Sequence, residues 1–182
     1  FDYIKRLWKE VIKTRIQTLL QIITALIGTN GKHGKCMSSS PHIATSLKSI
    51  FNNVGGSPAG LLMDIYSGVQ PTAADDIPNG TLLATISSSG DGTGATFDAA
   101  AANGVIAKTP AETWTGTALA SGTAGWFRVR RAQDTGTAAS STESRIDGAI
   151  ATSGAQLNVG SLTVSAGAPF VVTSFTVTLP KA

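Results

Sequence analysis

The sequence predicts a mainly β protein, an antiparallel β-sandwich of jelly-roll type preceded by an N-terminal amphipathic α-helix. Three observations predict it. The chain changes character near residue 36, from a basic segment with helical periodicity to short alternating apolar runs among Ser, Thr, Ala and Gly. Eight or nine such runs follow at intervals set by turn residues. No helical crossover separates them, which excludes a doubly wound sheet. The strand pattern itself does not divide a jelly roll from an immunoglobulin-like sandwich, and the paired cysteines of an antibody-type core are absent. Three regions result: 1–36, helix and Gly/Lys linker; 37–60, short helix and connector; 61–182, the β domain.

Residues 1–36 carry seven bases against two acids, +5, whereas the rest of the chain carries seven against nine, −2. The basic character therefore belongs to the leading segment, and no specific nucleic-acid recognition is expected of the β domain. Apolar residues recur at Ile4, Leu7, Trp8, Val11, Ile12, Ile16, Leu19, Leu20, Ile23, Leu26 and Ile27, one face of a helix that Gly28, Asn30 and Gly31 terminate. The 4-3-4-3 spacing of Ile12, Ile16, Leu19, Ile23 and Leu26 fits a short coiled-coil seam, broken upstream where Lys9 and Lys5 occupy core positions. Trp8, Ile12, Ile16, Leu19, Ile23 and Leu26 are the expected assembly interface. Packing on the chain's own domain or a neighbouring subunit is the favoured reading, ahead of an anionic surface or an export signal. Gln17, Thr18, Gln21 and Thr24 interrupt the apolar stretch, so no transmembrane span is expected.

The linker GTNGKHGK lacks the order of a phosphate loop, and Cys36 stands where its hydroxyl belongs. Cys36 is the only cysteine, which leaves no intrachain disulfide. His42–Phe51 reads as a short helix with Ser40 as cap and Pro41 at its first position. Strands are then expected over Leu61–Ser67, Thr81–Ser88, Ala95–Asp98, Gly104–Lys108, Thr113–Leu119, Thr123–Arg131, Arg145–Thr152, Gln156–Val164 and Phe170–Leu179. Gly68–Gly80 forms a proline-containing excursion between the first two. Thr123–Arg131 is the strongest, alternating Trp126, Arg128 and Arg130 against Phe127, Val129 and Arg131. In the last strand Phe175, Val177 and Leu179 are expected to face the core.

Catalytic and metal patterns are missing. Asp75–Asp76 fits no calcium loop and reads as solvated surface, while SGDGTG and RAQDTGTA read as turns. No nucleophile elbow or histidine-linked acid stands out, so neither enzyme activity nor a cofactor is expected. Trp114 and Trp126 most simply fill a core or subunit interface; a sugar-stacking role would need them exposed. Arg128, Arg130 and Arg131 are the one basic cluster of the domain, expected to pair with Asp134, Glu143 or a neighbour's acid, with phosphate contact as the alternative. Trp114, Trp126, Arg128 and Arg130 are accordingly the candidate surface or ligand contacts.

Ordered phrases in the β region carry a resemblance. They are IYSGVQPTAADDIPNGTLLATIS, the ETW-x-G pattern running from Glu112 to Arg128, RIDG at Arg145–Gly148, and the closing TVTLP. Over roughly residues 45–180 the chain resembles a family of small proteins encoded among the virion genes of tailed bacteriophages, whereas Phe1–Lys35 is additional to it. The resemblance implies a non-enzymatic virion protein, decorating or cementing the capsid or forming part of the neck or tail. It implies copies of itself and other virion proteins as partners, location in the virion after assembly in the host cytoplasm, and no catalytic residues. Two alternatives are a carbohydrate- or surface-binding jelly-roll module of the virion and a surface-anchored bacterial β-domain protein.

Overall fold

The structure, a computed structural model, describes residues 51–52, 60–98 and 105–178. The expected N-terminal helix with its seam from Trp8 to Leu26, the linker and nearly all of His42–Phe51 lie outside these residues.

The described chain is mainly β, a curled and predominantly antiparallel sheet. Its strands are β1 Leu61–Ser67, β2 Leu82–Ser88, β3 Val105–Ala107, β4 Trp114–Thr117, β5 Gly122–Arg131, β6 Arg145–Ala151, β7 Leu157–Asn158, β8 Thr163–Val164, β9 Pro169–Val172 and β10 Thr176–Thr178. The main sheet runs β7-β6-β5-β1-β2-β4-β9, with β8 pairing β5 off this path, and β10 pairs β3 separately. β5 is central because its ten residues serve three neighbours: β1 along one edge, and β6 then β8 along the other.

Period-two alternation sorts the side chains of β1 and β5. Leu61, Met63 and Ile65 share a face with Phe127 and Val129, opposite one another in register, and all five are buried in the apolar core. An aromatic group centres on Phe97, which meets Phe51, Trp114 and Phe175 at centroid distances of 6.2, 5.9 and 6.2 Å. Phe175 also receives the edge of Phe127 at 5.3 Å, which brings the segment leading into β10 onto the main sheet. Burial of each such ring contributes roughly 1.5–3 kcal/mol.

Three expected strands differ from those observed. Gln156–Val164 divides because its two ends have different partners: β7 runs parallel to β6, and β8 runs antiparallel to the start of β5. Phe170–Leu179 divides likewise, since β9 pairs β4 whereas the Phe175 carbonyl accepts the Lys108 amide and leads into the pairing of β10 with β3. The last strand is therefore not one interior strand; Phe175 is buried, Val177 is half-buried against the core, and Leu179 lies outside the described residues. Ala95–Asp98 makes single bridges to two different elements, Ala95 with Leu61 and Phe97 with Lys108, and so builds no ladder.

Candidate functional site

The second face of β1, β5 and β6 also carries buried side chains, and several of them are charged. Alternation turns Trp126, Arg128 and Arg130 away from the apolar core. Register places Arg128 between Asp64 of β1 and Asp147 of β6, and Arg130 between Leu62 and Arg145. Arg128 binds Asp147 through two parallel hydrogen bonds, Nε to Oδ1 at 2.8 Å and Nη2 to Oδ2 at 2.7 Å. Arg130 reaches diagonally to Asp64, Nε to Oδ2 at 2.6 Å, and the Thr85 hydroxyl donates to Oδ1 of the same carboxylate at 2.7 Å. Arg145 holds Asp134, Nε to Oδ2 at 2.6 Å and Nη2 to Oδ1 at 2.8 Å. Three arginines thus meet three aspartates, so the array is neutral.

Two loops roof this face and satisfy its remaining donors. From the 68–80 excursion, the Asp76 carbonyl accepts Arg128 Nη1 at 3.0 Å and the Asn79 carbonyl accepts the Trp126 indole N–H at 3.2 Å. From the loop after β5, the Asp134 carbonyl accepts Arg130 Nη1, and the Ala138 carbonyl accepts Arg145 Nη1 at 2.9 Å. The two loops are tied together by the Ser140 amide, which donates to the Asp75 carbonyl at 2.9 Å. Gly136 is required where the second loop closes: its φ is +71°, and a Cβ there would lie 2.7 Å from Arg130 Cδ. Its amide donates to Asp134 Oδ1 at 2.8 Å.

The ionisation of the array follows from these bonds. Burial opposes the charge on Asp134, but the Arg145 hydrogen bond, the Gly136 amide and the charges of Arg145 and Arg130 outweigh it and hold the carboxyl below its ordinary value. The reciprocal bond from Asp134 raises the guanidinium of Arg145. Tyr66, stacked on Trp126 at 4.5 Å and 11°, has its phenol pushed up to about 12 by burial first and the neighbouring Asp64 charge second.

A second polar knot lies at the start of β4. The Glu112 carboxylate accepts the Thr96 amide at 2.8 Å, the Thr96 hydroxyl at 2.6 Å and the Trp114 indole N–H at 2.8 Å. Lys108 donates to the Glu112 carbonyl and lies 5.9 Å from the Trp114 ring centroid. One carboxylate thereby ties Thr96 to Trp114 at the start of β4, which is the physical reason for Glu two residues before Trp.

The four candidate surface or ligand contacts are all interior, which agrees with the core and ion-pair reading of these residues and not with the surface-contact alternative. Trp114, Trp126 and Arg128 are 0% exposed and Arg130 is 8% exposed. The indoles fill the core and the underside of a loop, and the guanidiniums are engaged by aspartates on adjacent strands. Asp134 is indeed a partner, but of Arg145 rather than of the 128–131 cluster through its carboxylate. Asp64, Asp147 and Glu112 went unrecognised as partners; the available signal was an isolated acid within an apolar strand, LLMDIYS and RIDG. Among the described residues no group of three His, Cys, Asp or Glu is placed to hold a metal ion, and no helix is long and apolar enough to cross a membrane. Comparison with family models, curated proteins and solved structures gave no match.

Proposed function

We propose that this chain is a non-enzymatic structural protein of a tailed-phage virion, a capsid decoration or cement protein or a neck or tail component, with its leading segment as an assembly arm. The observation that carries the reading is the inward use of charge. Asp64, Arg128, Arg130, Asp134, Arg145 and Asp147 neutralise one another beneath two loops, so a domain already poor in charge keeps little of it at its surface. A block with a sparsely charged exterior suits repeated contacts with neighbouring subunits. The resemblance of IYSG, ETW, GWFRVRR and RIDG to virion proteins supports the same reading, because those phrases supply β1, the Glu112 knot, β5 and β6.

The reading includes a sandwich of jelly-roll type, supported by the Phe127–Phe175 contact between the main sheet and the segment entering β10. Phe1–Ile27 would bury Trp8, Ile12, Ile16, Leu19, Ile23 and Leu26 on a neighbouring subunit. The test compares the full chain with one starting at Met37 for binding to particles that lack the protein. Binding by the full chain alone supports the arm; equal binding by both, or by neither, contradicts it.

A further inference from the structure

Asparagine is thermolabile because the amide nitrogen of the next residue can attack its carboxamide, and glycine, lacking a Cβ, leaves that nitrogen open. Among the described residues Asn79–Gly80 is the one asparagine–glycine pair; Asn30–Gly31 and Asn103–Gly104 lie outside them. It ends the 68–80 excursion, just ahead of β2, and both residues are exposed. Neither the Asn79 carboxamide nor the Gly80 amide has a hydrogen-bond partner among the described residues. The other described asparagines are restrained. Asn52 is bonded through Oδ1 and Nδ2 to the Phe97 backbone, both at 2.9 Å, and Asn158 Oδ1 accepts the Ala155 amide at 3.1 Å.

Two aspartate–glycine pairs, which share this chemistry, are held back. Asp91 accepts the Thr93 amide at 2.8 Å and is kept ionised, and a carboxylate offers no leaving group. Asp147 is buried and clasped by Arg128 through both oxygens. Asn79 has neither restraint on its side chain, but its main chain is tightly placed. Its carbonyl accepts the Trp126 indole N–H at 3.2 Å. Two residues on, Thr81 is clamped to Ser67: the Ser67 amide donates to the Thr81 carbonyl at 3.0 Å, and the Thr81 amide donates to Ser67 Oγ at 3.0 Å. Gly80 between them has φ +86°, and a Cβ there would lie 1.9 Å from the Ser67 carbonyl oxygen. The chain between the Trp126 bond and the Ser67 clamp has no room for an added atom.

We infer that Asn79–Gly80 is a self-modifying site whose conversion to isoaspartate releases the 68–80 loop from Trp126. The Gly80 nitrogen gives up its proton and bonds to Asn79 Cγ; the Cγ–Nδ2 bond breaks, and ammonia leaves with that proton. Water then opens the resulting succinimide at either carbonyl. Cleavage at Cγ gives aspartate in an ordinary chain. Cleavage at the main-chain carbonyl gives isoaspartate, in which the chain runs through Cβ and Cγ and is longer by one methylene. The carbonyl that accepted the Trp126 indole becomes one end of a free carboxylate. Because Thr81 is clamped, the added length lifts Asn79, and one of the two loops over Arg128 and Asp147 loses a tether. The inference is independent of the assembly reading.

The test ages the folded full chain in mildly alkaline buffer beside Asn79→Ser and Asn79→Asp. Peptide mass mapping follows the exchange of amide for acid at each asparagine, and fragmentation that cuts the added Cα–Cβ link distinguishes isoaspartate from aspartate. Asn79 is expected to convert roughly tenfold or more faster than Asn52 or Asn158. Conversion at Asn79 no faster than at Asn158 overturns the site. Tryptophan fluorescence reads the second half of the inference. Aged wild type is expected to shift away from equally aged Asn79→Ser, whereas fresh Asn79→Asp, which adds the charge without the methylene, keeps the spectrum of fresh wild type. Converted wild type whose spectrum matches aged Asn79→Ser overturns release of the loop.

Discussion

Arg128 and Asp147 lie directly opposite each other on β5 and β6 and are joined side-on by two hydrogen bonds, with 0% and 3% of their side chains exposed. A pair so fully removed from water is held by geometry as much as by charge. Its worth is conditional: the partner left behind after a truncation becomes a buried, uncompensated ion.

Asp147→Ala is therefore expected to destabilise the domain by about 3–5 kcal/mol, far more than loss of an exposed ion pair. Arg128→Met combined with Asp147→Leu should cost less than either single truncation. Urea unfolding of Arg128→Met, Asp147→Leu and their combination beside wild type, analysed as a double-mutant cycle, measures the coupling.

Stability should fall in acid in part through Asp134. Its folded carboxyl titrates below the ordinary value, so it contributes stability above an unfolded pKa of about 3.9, and that contribution is lost as pH falls through the depressed folded value. Asp91, held down chiefly by the Thr93 amide, acts in the same direction. Asp134→Asn isolates the first: the gap in unfolding midpoint between variant and wild type should narrow steadily below about pH 4.

Glu112→Ala removes the acceptor of three hydrogen bonds and leaves the buried Trp114 indole N–H unpaired. A loss of about 2 kcal/mol or more is expected, together with a changed near-ultraviolet circular dichroism of the tryptophans. Glu112→Gln keeps an acceptor and should retain part of both.

Gly116→Ala should be among the most damaging single-methyl additions. The new Cβ would stand 2.1 Å from the Thr85 carbonyl oxygen on β2, and backbone cannot move aside as a side-chain tip can. A cost of about 1–3 kcal/mol or greater is expected from thermal unfolding.

Much of the fold was legible because alternation is a local property. β1 was bounded to the residue, and β2, β5 and β6 to within one residue at each end. Changes of partner are not local, so Gln156–Val164 and Phe170–Leu179 each read as one strand where the chain passes between neighbours. The buried charge was harder still. Arginine is seldom interior unless paired, and the partners of Arg128 and Arg130 lie 19 and 66 residues away in sequence. Alternation correctly put Arg128 and Arg130 on one face, but only register against β1 and β6 reveals that the face holds acids and a roof.

Imaging of purified tailed-phage particles assembled in the presence of this chain, with its β domain fitted to the density, tests the proposal most directly. The account predicts the domain at regular, symmetry-related positions, contacting copies of itself or other virion subunits. Particles that never contain the chain, while the full chain remains a solitary monomer in solution, would contradict it.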